Sequence, residues 1–247
     1  MSPLGARARR AVDEYWAEFL GRARDELRPG RAVVVAHAAQ LEDYLGVYAL
    51  ELGGAPIVSA PPALAPALRA RLAGLGPGAL REPGSLLAAL GDAARAVVGP
   101  AWIGYVDDLD AEAGDDGDVR ALDERDERLV DQLRAACAHE EWEHGGSELT
   151  DGAAMGAFVG ETLVALAGYE VWGGRLAHIA VVAHPDHRGA GHATRVVRAA
   201  ARRALEAGLV PQYRTLAANG ASLAVARRVG FAWYATSLAV RLSSASD

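Results

Sequence analysis

The sequence predicts a mixed α/β protein of the α+β type, built from two parts, and three observations support this prediction. Short apolar runs of strand length alternate with segments whose apolar residues recur at helical spacing. Glycine and proline separate these segments, as at Pro29-Gly30 and Gly53-Gly54. An acidic stretch from Asp107 to Asp118 has almost no large apolar side chain and divides the chain. We therefore expect one domain over residues 1–112 and a second over residues 113–247.

The first part reads as helices and strands in mixed order. Val12, Trp16 and Leu20 recur at helical spacing, which predicts a helix that ends by Pro29-Gly30. Strands are predicted over residues 31–37, 44–52, 55–60 and 101–108. Helices are predicted from Pro61-Pro62 to about Ala73 and over residues 84–97, with Ser85 as the N-cap. This part contains no phosphate loop, metal-ligand spacing or nucleophile motif.

The second part has a clearer order of elements. A short strand over residues 118–123 precedes a helix over 124–137 and a helical turn that Gly145-Gly146 ends. Residues 153–160 and 162–174 predict a hairpin, and the next strand spans 175–183. The remaining elements are a helix to about Ala207, a strand over 210–216, a helix over 219–229 and a strand over 231–242.

Composition and charge exclude several classes of protein. The net charge is −7, so a general nucleic-acid surface is not indicated. The chain has arginine but no lysine, and we draw no functional conclusion from that. No apolar run approaches the ~20 residues of a membrane span, and the N-terminal arginines precede no apolar signal segment. We expect a cytoplasmic protein with no nucleic-acid or membrane partner. Cys137 is the only cysteine, so no disulfide forms within the chain, and we interpret it as a small buried side chain.

The stretch from His184 to Val197, HPDHRGAGHATRVV, follows an apolar strand and opens an amphipathic helix. Gly189 and Gly191 allow positive φ, and the first N–H groups of a helix lack internal partners, so such a loop suits an anion. The pattern has no Gly-Lys-Ser/Thr, and Thr194 occupies the place of the third glycine in a dinucleotide fingerprint. A plain tight turn before a helix is the alternative interpretation.

Three linked signatures resemble the GCN5-related N-acetyltransferase (GNAT) superfamily. They are Arg188-x-x-Gly191-x-Ala193, the preceding VVAHPDH, and the downstream NGASLAVARRVGF, and the similarity spans roughly residues 118–242. The resemblance implies a mixed, mostly antiparallel sheet flanked by helices. The first part is then either a degenerate copy of this fold or a cap that completes the acceptor pocket.

The resemblance also implies a cofactor, acetyl-CoA or another acyl-CoA, and the residues that hold it. Backbone groups of Val181, Val182 and Ala183 would bind the pantetheine arm, in a gap where two strands part. The diphosphate would lie on Arg188, Gly189, Ala190, Gly191, His192 and Ala193. Asn219 and Ser222 would contact the pantetheine arm or an ordered water. The family often has a tyrosine seven residues after the asparagine, as acid for the leaving thiolate, but this sequence has Ala226.

Four residues are candidates for proton transfer. Glu143 and His144 lie in the helical turn that borders the acceptor site by resemblance, although a solvated acidic turn is the favoured explanation for either one. His178 lies in an otherwise apolar strand just upstream of the thioester position, and its pKa range suits a base. Tyr213 could replace the missing tyrosine as acid. His139 and His144 are separated by four residues rather than three, so no zinc site is predicted.

These residues predict an N-acetyltransferase that moves an acetyl group from acetyl-CoA to an amine of a small molecule. The amine attacks the thioester directly in a ternary complex, which fits the absence of a nucleophile motif. The alternative is a non-catalytic acyl-CoA-binding or sensing protein, which the alanine at position 226 favours; a scaffold that binds no coenzyme is a third reading. Homodimer formation is left open.

Overall fold

The computed structural model describes residues 4–109, 117–146 and 154–243. The chain forms two compact units, each named here for the half of the sequence that supplies most of it. The N-terminal unit consists of Arg9–Ile103, Thr215–Gly220 and Trp233–Asp247. The C-terminal unit consists of Met1–Ala8, Gly104–Arg214 and Ala221–Ala232. The boundary after residue 112 lies outside the described residues and stays a prediction.

The secondary structure follows the predicted alternation. The helices are α1 Ala6–Leu20, α2 Ala65–Leu72, α3 Gly84–Leu90, α4 Glu127–Ala136, α5 His139–Gly145, α6 His192–Glu206 and α7 Gly220–Val229. The strands are β1 Val33–Ala36, β2 Gly46–Glu51, β3 Ile57–Ala60, β4 Ala94–Tyr105, β5 Val119–Ala121, β6 Met155–Val159, β7 Thr162–Trp172, β8 Leu176–Ala183, β9 Val210–Leu216 and β10 Ala232–Leu242.

The N-terminal unit combines parallel and antiparallel strand pairs. β1 runs parallel to β3, whereas β2 pairs antiparallel with β3 and with β10. Buried side chains of the strands and of α2 and α3 form its core, among them Val47, Val58, Leu68, Leu86 and Leu238. The degenerate-copy interpretation of this half stays a prediction.

One predicted helix of the N-terminal unit is shorter than expected. The helix predicted over residues 84–97 ends at Leu90, and Ala94 already begins β4. Gly91 has a φ of +57°, a conformation that glycine adopts without a Cβ penalty and that ends the helix. Ser85 lies inside α3, and Pro83 takes the N-cap position.

The C-terminal unit contains a mostly antiparallel sheet with helices packed on it, as predicted. Its strand order is β9-β8-β7-β6-β5, and only the β8–β9 pair is parallel. Val130 and Leu133 of α4 pack on Leu166 of β7 and Val182 of β8. The longer helix α6 contacts β6, β7 and β8. None of the helices in the described ranges is long and apolar enough to span a bilayer.

Candidate active site

Strands β8 and β9 part in the middle of the C-terminal unit. Their parallel pairing runs from Leu176 opposite Val210 to Ile179 opposite Tyr213. Within the described part of the chain this pairing stops there, although β8 continues to Ala183 and remains paired with β7 on its other side. A gap therefore opens beside the second half of β8, where the sequence predicted it.

Backbone groups of β8 point into this gap at alternate residues. The N–H of His184 donates to the carbonyl of Val164 on β7 at 2.9 Å. Because consecutive residues of a strand direct their N–H and C=O to opposite edges, Val181 and Ala183 direct theirs away from β7. Val182 has its backbone toward β7 and its side chain in the core under α4. Of the three predicted backbone contacts, Val181 and Ala183 are the ones placed at the gap.

The glycine loop leaves an open cradle at the start of α6. Gly189 and Gly191 have φ of +83° and +84°, and an added Cβ at either would meet no protein atom within 4 Å. The N–H of Arg195 makes the first helical bond, to the carbonyl of Gly191 at 3.1 Å. The N–H groups of the three preceding residues have no partner within the helix. Space, free donors and the positive end of the helix dipole together suit a diphosphate.

Arg188 adds a cation to this cradle. Its guanidinium donates to the Glu141 carboxylate at 2.9 Å and to the carbonyl of Ala183 at 3.4 Å. The bond from Arg188 holds the pKa of Glu141 below its usual value. Both side chains are about half exposed, so an anionic ligand can compete for the guanidinium.

The end of α5 packs against β8 at the edge that faces the gap. An added Cβ at Gly145 would approach the carbonyl oxygen of Val181 to 2.5 Å, so only glycine permits this contact. The close approach fixes α5 beside the strand that carries the predicted coenzyme contacts.

Three histidine rings line the loop. The ring centroids of His184 and His187 are 5.2 Å apart, and those of His187 and His192 are 6.2 Å apart. Arg195 contacts His192 at 2.6 Å, and burial, Arg195 and His187 together lower the pKa of His192. Among the described residues, no group of three histidine, cysteine, aspartate or glutamate side chains could hold a metal ion.

His178 lies on β8 one residue before the point where β8 and β9 part. Its Nδ1 is 2.9 Å from Oε1 of Gln212 on β9, and Nε2 of that amide donates to the Tyr105 hydroxyl at 2.5 Å. The amide oxygen of Gln212 can only accept, so Nδ1 of His178 carries the proton and Nε2 of His178 carries the lone pair. The ring also stacks on Trp172, with centroids 4.0 Å apart.

The surroundings keep His178 neutral. Burial lowers its pKa to about 4, the Gln212 bond and Glu170 oppose that shift, and Arg214 adds to it. Glu170 pairs directly with His178 across the β7–β8 ladder, so the two side chains lie on the same face of the sheet. The sequence did not point to Gln212 or Tyr105; a lone amide in the apolar run VPQY was the available signal.

Tyr213 faces the opposite side of the sheet from His178. It follows Gln212, whose side chain meets His178, and successive strand residues point to opposite faces. The Tyr213 hydroxyl lies 2.9 Å from Oγ of Ser222, and its ring packs against Phe231. Burial raises the pKa of Tyr213. The two proton-transfer candidates thus lie on opposite faces, at the residues where the strands separate.

Three other predicted site residues, Glu143, His144 and Asn219, have exposed side chains. Glu143 and His144 are exposed on α5, and Nδ1 of His144 donates to the carbonyl of Glu140 at 2.7 Å. Glu143 lines a surface cavity of about 550 Å³ together with Cys137 and Trp142. Asn219 is exposed just before α7 and belongs to the N-terminal unit. The roles proposed for these residues stay predictions.

Comparison with known proteins agrees with the geometry. Residues 118–231 match the model of the acetyltransferase (GNAT) family. A GNAT-family acetyltransferase from Colwellia psychrerythraea is 16% identical, with a TM-score of 0.50 over 63% of this chain and 60% of that one. A GCN5-related N-acetyltransferase from Kribbella flavida is 15% identical, with a TM-score of 0.47 over 66% of this chain and 64% of that one. At 16% identity, the similarity to the Colwellia psychrerythraea protein supports the fold alone. No curated protein matches the sequence.

Proposed function

We propose that the protein transfers an acetyl group from acetyl-CoA to an amine of a small molecule, and the match of residues 118–231 to the acetyltransferase (GNAT) family model supports this proposal. The observation that carries this proposal is that three features occur together along β8 and the start of α6 in the C-terminal unit. An open glycine cradle starts α6, a gap separates β8 from β9, and a neutral histidine with a bare nitrogen lies where that gap begins.

The residues of the cradle and the gap fit this coenzyme. Free N–H groups at the start of α6, with Arg188 beside them, bind its diphosphate, and Gly189 and Gly191 leave the room that it requires. Backbone groups of Val181 and Ala183 bind the pantetheine amides. When bound, the coenzyme supplies an acetyl group activated as a thioester.

His178 acts as the base in this proposal. An amine attacks a carbonyl only as the neutral species, so a lone pair that accepts its proton accelerates the reaction. Nε2 of His178 offers that lone pair, and the low pKa keeps it available at neutral pH. The weak basicity of such an imidazole restricts its task to a proton that becomes acidic as the amine attacks.

Tyr213 stabilises the leaving thiolate from the other face. Burial raises the pKa of Tyr213 beyond the ordinary value of a phenol, which is already higher than that of a thiol. Complete proton transfer from Tyr213 is therefore uphill, and its hydroxyl acts as a hydrogen-bond donor, oriented by Ser222. This hydroxyl takes the place of the tyrosine that Ala226, which is fully buried, cannot supply.

The alternative function is acyl-CoA binding without turnover, which the alanine at position 226 favours. One experiment separates the possibilities: release of free thiol from acetyl-CoA is measured with a panel of small amines, alongside the thermal shift that acetyl-CoA produces. We expect both a shift and amine-dependent release, with the turnover of the His178→Ala variant reduced at least about a hundredfold. A shift without release supports the sensor, and no shift refutes coenzyme binding. A wild-type rate in His178→Ala removes this histidine as base.

A further inference from the structure

Gln212 is buried in the sheet of the C-terminal unit and links two other side chains. No part of it is exposed, and the same is true of Tyr105. Its amide oxygen faces Nδ1 of His178 at 2.9 Å, while its amide nitrogen donates to the Tyr105 hydroxyl at 2.5 Å. In this orientation the amide accepts a hydrogen bond on its His178 side and donates one on its Tyr105 side.

The orientation of this amide decides the tautomer of His178. With its oxygen toward Nδ1, that nitrogen must carry the hydrogen, and Nε2 is left bare. If the amide were reversed, its nitrogen would donate to Nδ1 and the proton would move to Nε2, where it would block the base. In the structure the amide has the first orientation, with its nitrogen donating to the Tyr105 hydroxyl.

Two further contacts hold the ring once its tautomer is set. Trp172 stacks on the imidazole at a centroid distance of 4.0 Å and an interplanar angle of 17°. Glu170 binds the Trp172 indole N–H at 3.0 Å. The ring is thereby limited in rotation by the stack and in tautomer by the amide.

We propose that Gln212, which also bonds Tyr105, is a positioning residue that keeps His178 protonated on Nδ1 and so presents Nε2 as the base for acetyl transfer. This inference rests on the proposed function, because it assigns Gln212 a role through the base. Gln212 itself touches neither the acceptor nor the coenzyme in this assignment.

The first test needs no catalysis. The ¹⁵N spectrum of the histidine rings in the full chain, with His178 assigned by its loss in His178→Asn, distinguishes the protonated nitrogen from the bare one. We expect Nδ1 protonated at neutral pH in the wild type, and a mixture of tautomers in Gln212→Leu. An Nε2-protonated ring in the wild type overturns the positioning role, whatever the protein catalyses. The role is therefore separable from the acetyltransferase proposal.

The second test is kinetic and uses three variants. Gln212→Leu should lower kcat at least about tenfold and leave KM for acetyl-CoA within about twofold, since only the base is disturbed. Gln212→Glu still accepts from Nδ1 but adds a negative charge, so it should retain most of kcat and move the acidic limb of the pH profile upward by about one unit or more. Gln132→Leu, at an exposed position of α4, is the matched control with the wild-type rate.

The pattern across these variants decides the outcome. A drop in kcat for Gln212→Leu together with an unmoved pH profile for Gln212→Glu would indicate a merely structural residue and refute the proposal. Tyr105→Phe removes the hydroxyl that bonds the amide nitrogen of Gln212 but leaves the Gln212–His178 bond, so it should give a smaller loss of kcat than Gln212→Leu. Should Gln212→Leu fail to fold, the spectrum of the wild type and the profile of Gln212→Glu still decide.

Discussion

Replacing Gly191 by glutamate tests the proposed coenzyme loop, because the added side chain has room in the protein. An ideal Cβ at this position meets no heavy atom within 4 Å, so the change introduces no clash with the fold. Its backbone penalty is that of a φ of +84°, roughly 1–2 kcal/mol for a residue with a Cβ. The new carboxylate lies at the N-terminus of α6, where its interaction with the helix dipole stabilises the fold by about 0.3–1 kcal/mol.

The loss of coenzyme affinity follows from charge. A carboxylate about 6 Å from one phosphate charge, at an effective dielectric constant of about 20, costs about 3 kcal/mol. That energy corresponds to roughly a hundredfold weaker binding. The bulk of the side chain in the cradle adds to this value, so a hundredfold is the lower expectation.

Gly208 provides the matched control at the other end of the same helix. Its φ is +76° and an added Cβ also finds open space, so Gly208→Glu carries the same backbone penalty. There the helix dipole opposes the carboxylate, so this variant should be the less stable of the two without coenzyme. Calorimetric titration with acetyl-CoA gives the dissociation constant of each variant, and urea denaturation gives its free energy of unfolding. Binding by Gly191→Glu within about threefold of wild type, or an equal loss in Gly208→Glu, would refute the loop assignment.

Three further predictions concern the surroundings of the site. Gly145→Ala should lower the free energy of unfolding by about 1–3 kcal/mol in urea titrations, because its Cβ would press on the Val181 carbonyl; an unchanged value would contradict that close contact. Arg188→Met should weaken acetyl-CoA binding about tenfold, with less than about 1 kcal/mol lost in stability, since its pair with Glu141 is exposed. The unfolded chain protonates His178 below about pH 6.5 and the folded chain only near 4, so this residue contributes stability that is complete above 6.5 and lost as the pH falls toward 4. From pH 7 to pH 5 the wild type should thus lose about 2 kcal/mol more than His178→Asn in urea titrations, and equal losses would contradict the lowered pKa.

Local sequence patterns predicted most elements, but they failed where tertiary pairing overrides propensity. The run GDAARAVV after Leu90 contains alanine and arginine, which favour helix, yet its second half begins β4. Pairing with neighbouring strands favours the strand conformation here, and a local sequence pattern contains no information about those neighbours. Gly91 and the adjacent valines at positions 97 and 98 were the only local indications of a break.

The site divides in the same way. The glycine loop could be predicted because its chemistry is contiguous in sequence: Arg188, Gly189 and Gly191 stand within four residues. The environment of His178 could not, because it depends on which residue of β9 lies opposite it. Gln212 is 34 residues away and Tyr105 is 107 residues from Gln212. A shift of one residue in the β8–β9 register would have placed Tyr213 there instead.

In the proposed function, strand β8 serves both binding and catalysis because a strand has four distinct directions. One in-plane edge is held by β7, and the other directs the amides of Val181 and Ala183 into the gap. Perpendicular to the sheet, His178 projects from one face, and Tyr213 of the neighbouring strand projects from the other. If His178 and Tyr213 have the roles proposed here, a base and a hydrogen-bond donor for the thiolate lie on opposite faces and cannot exchange a proton with each other. That arrangement favours direct attack by the amine over any step shared by the two side chains, and it makes turnover compatible with an alanine at position 226.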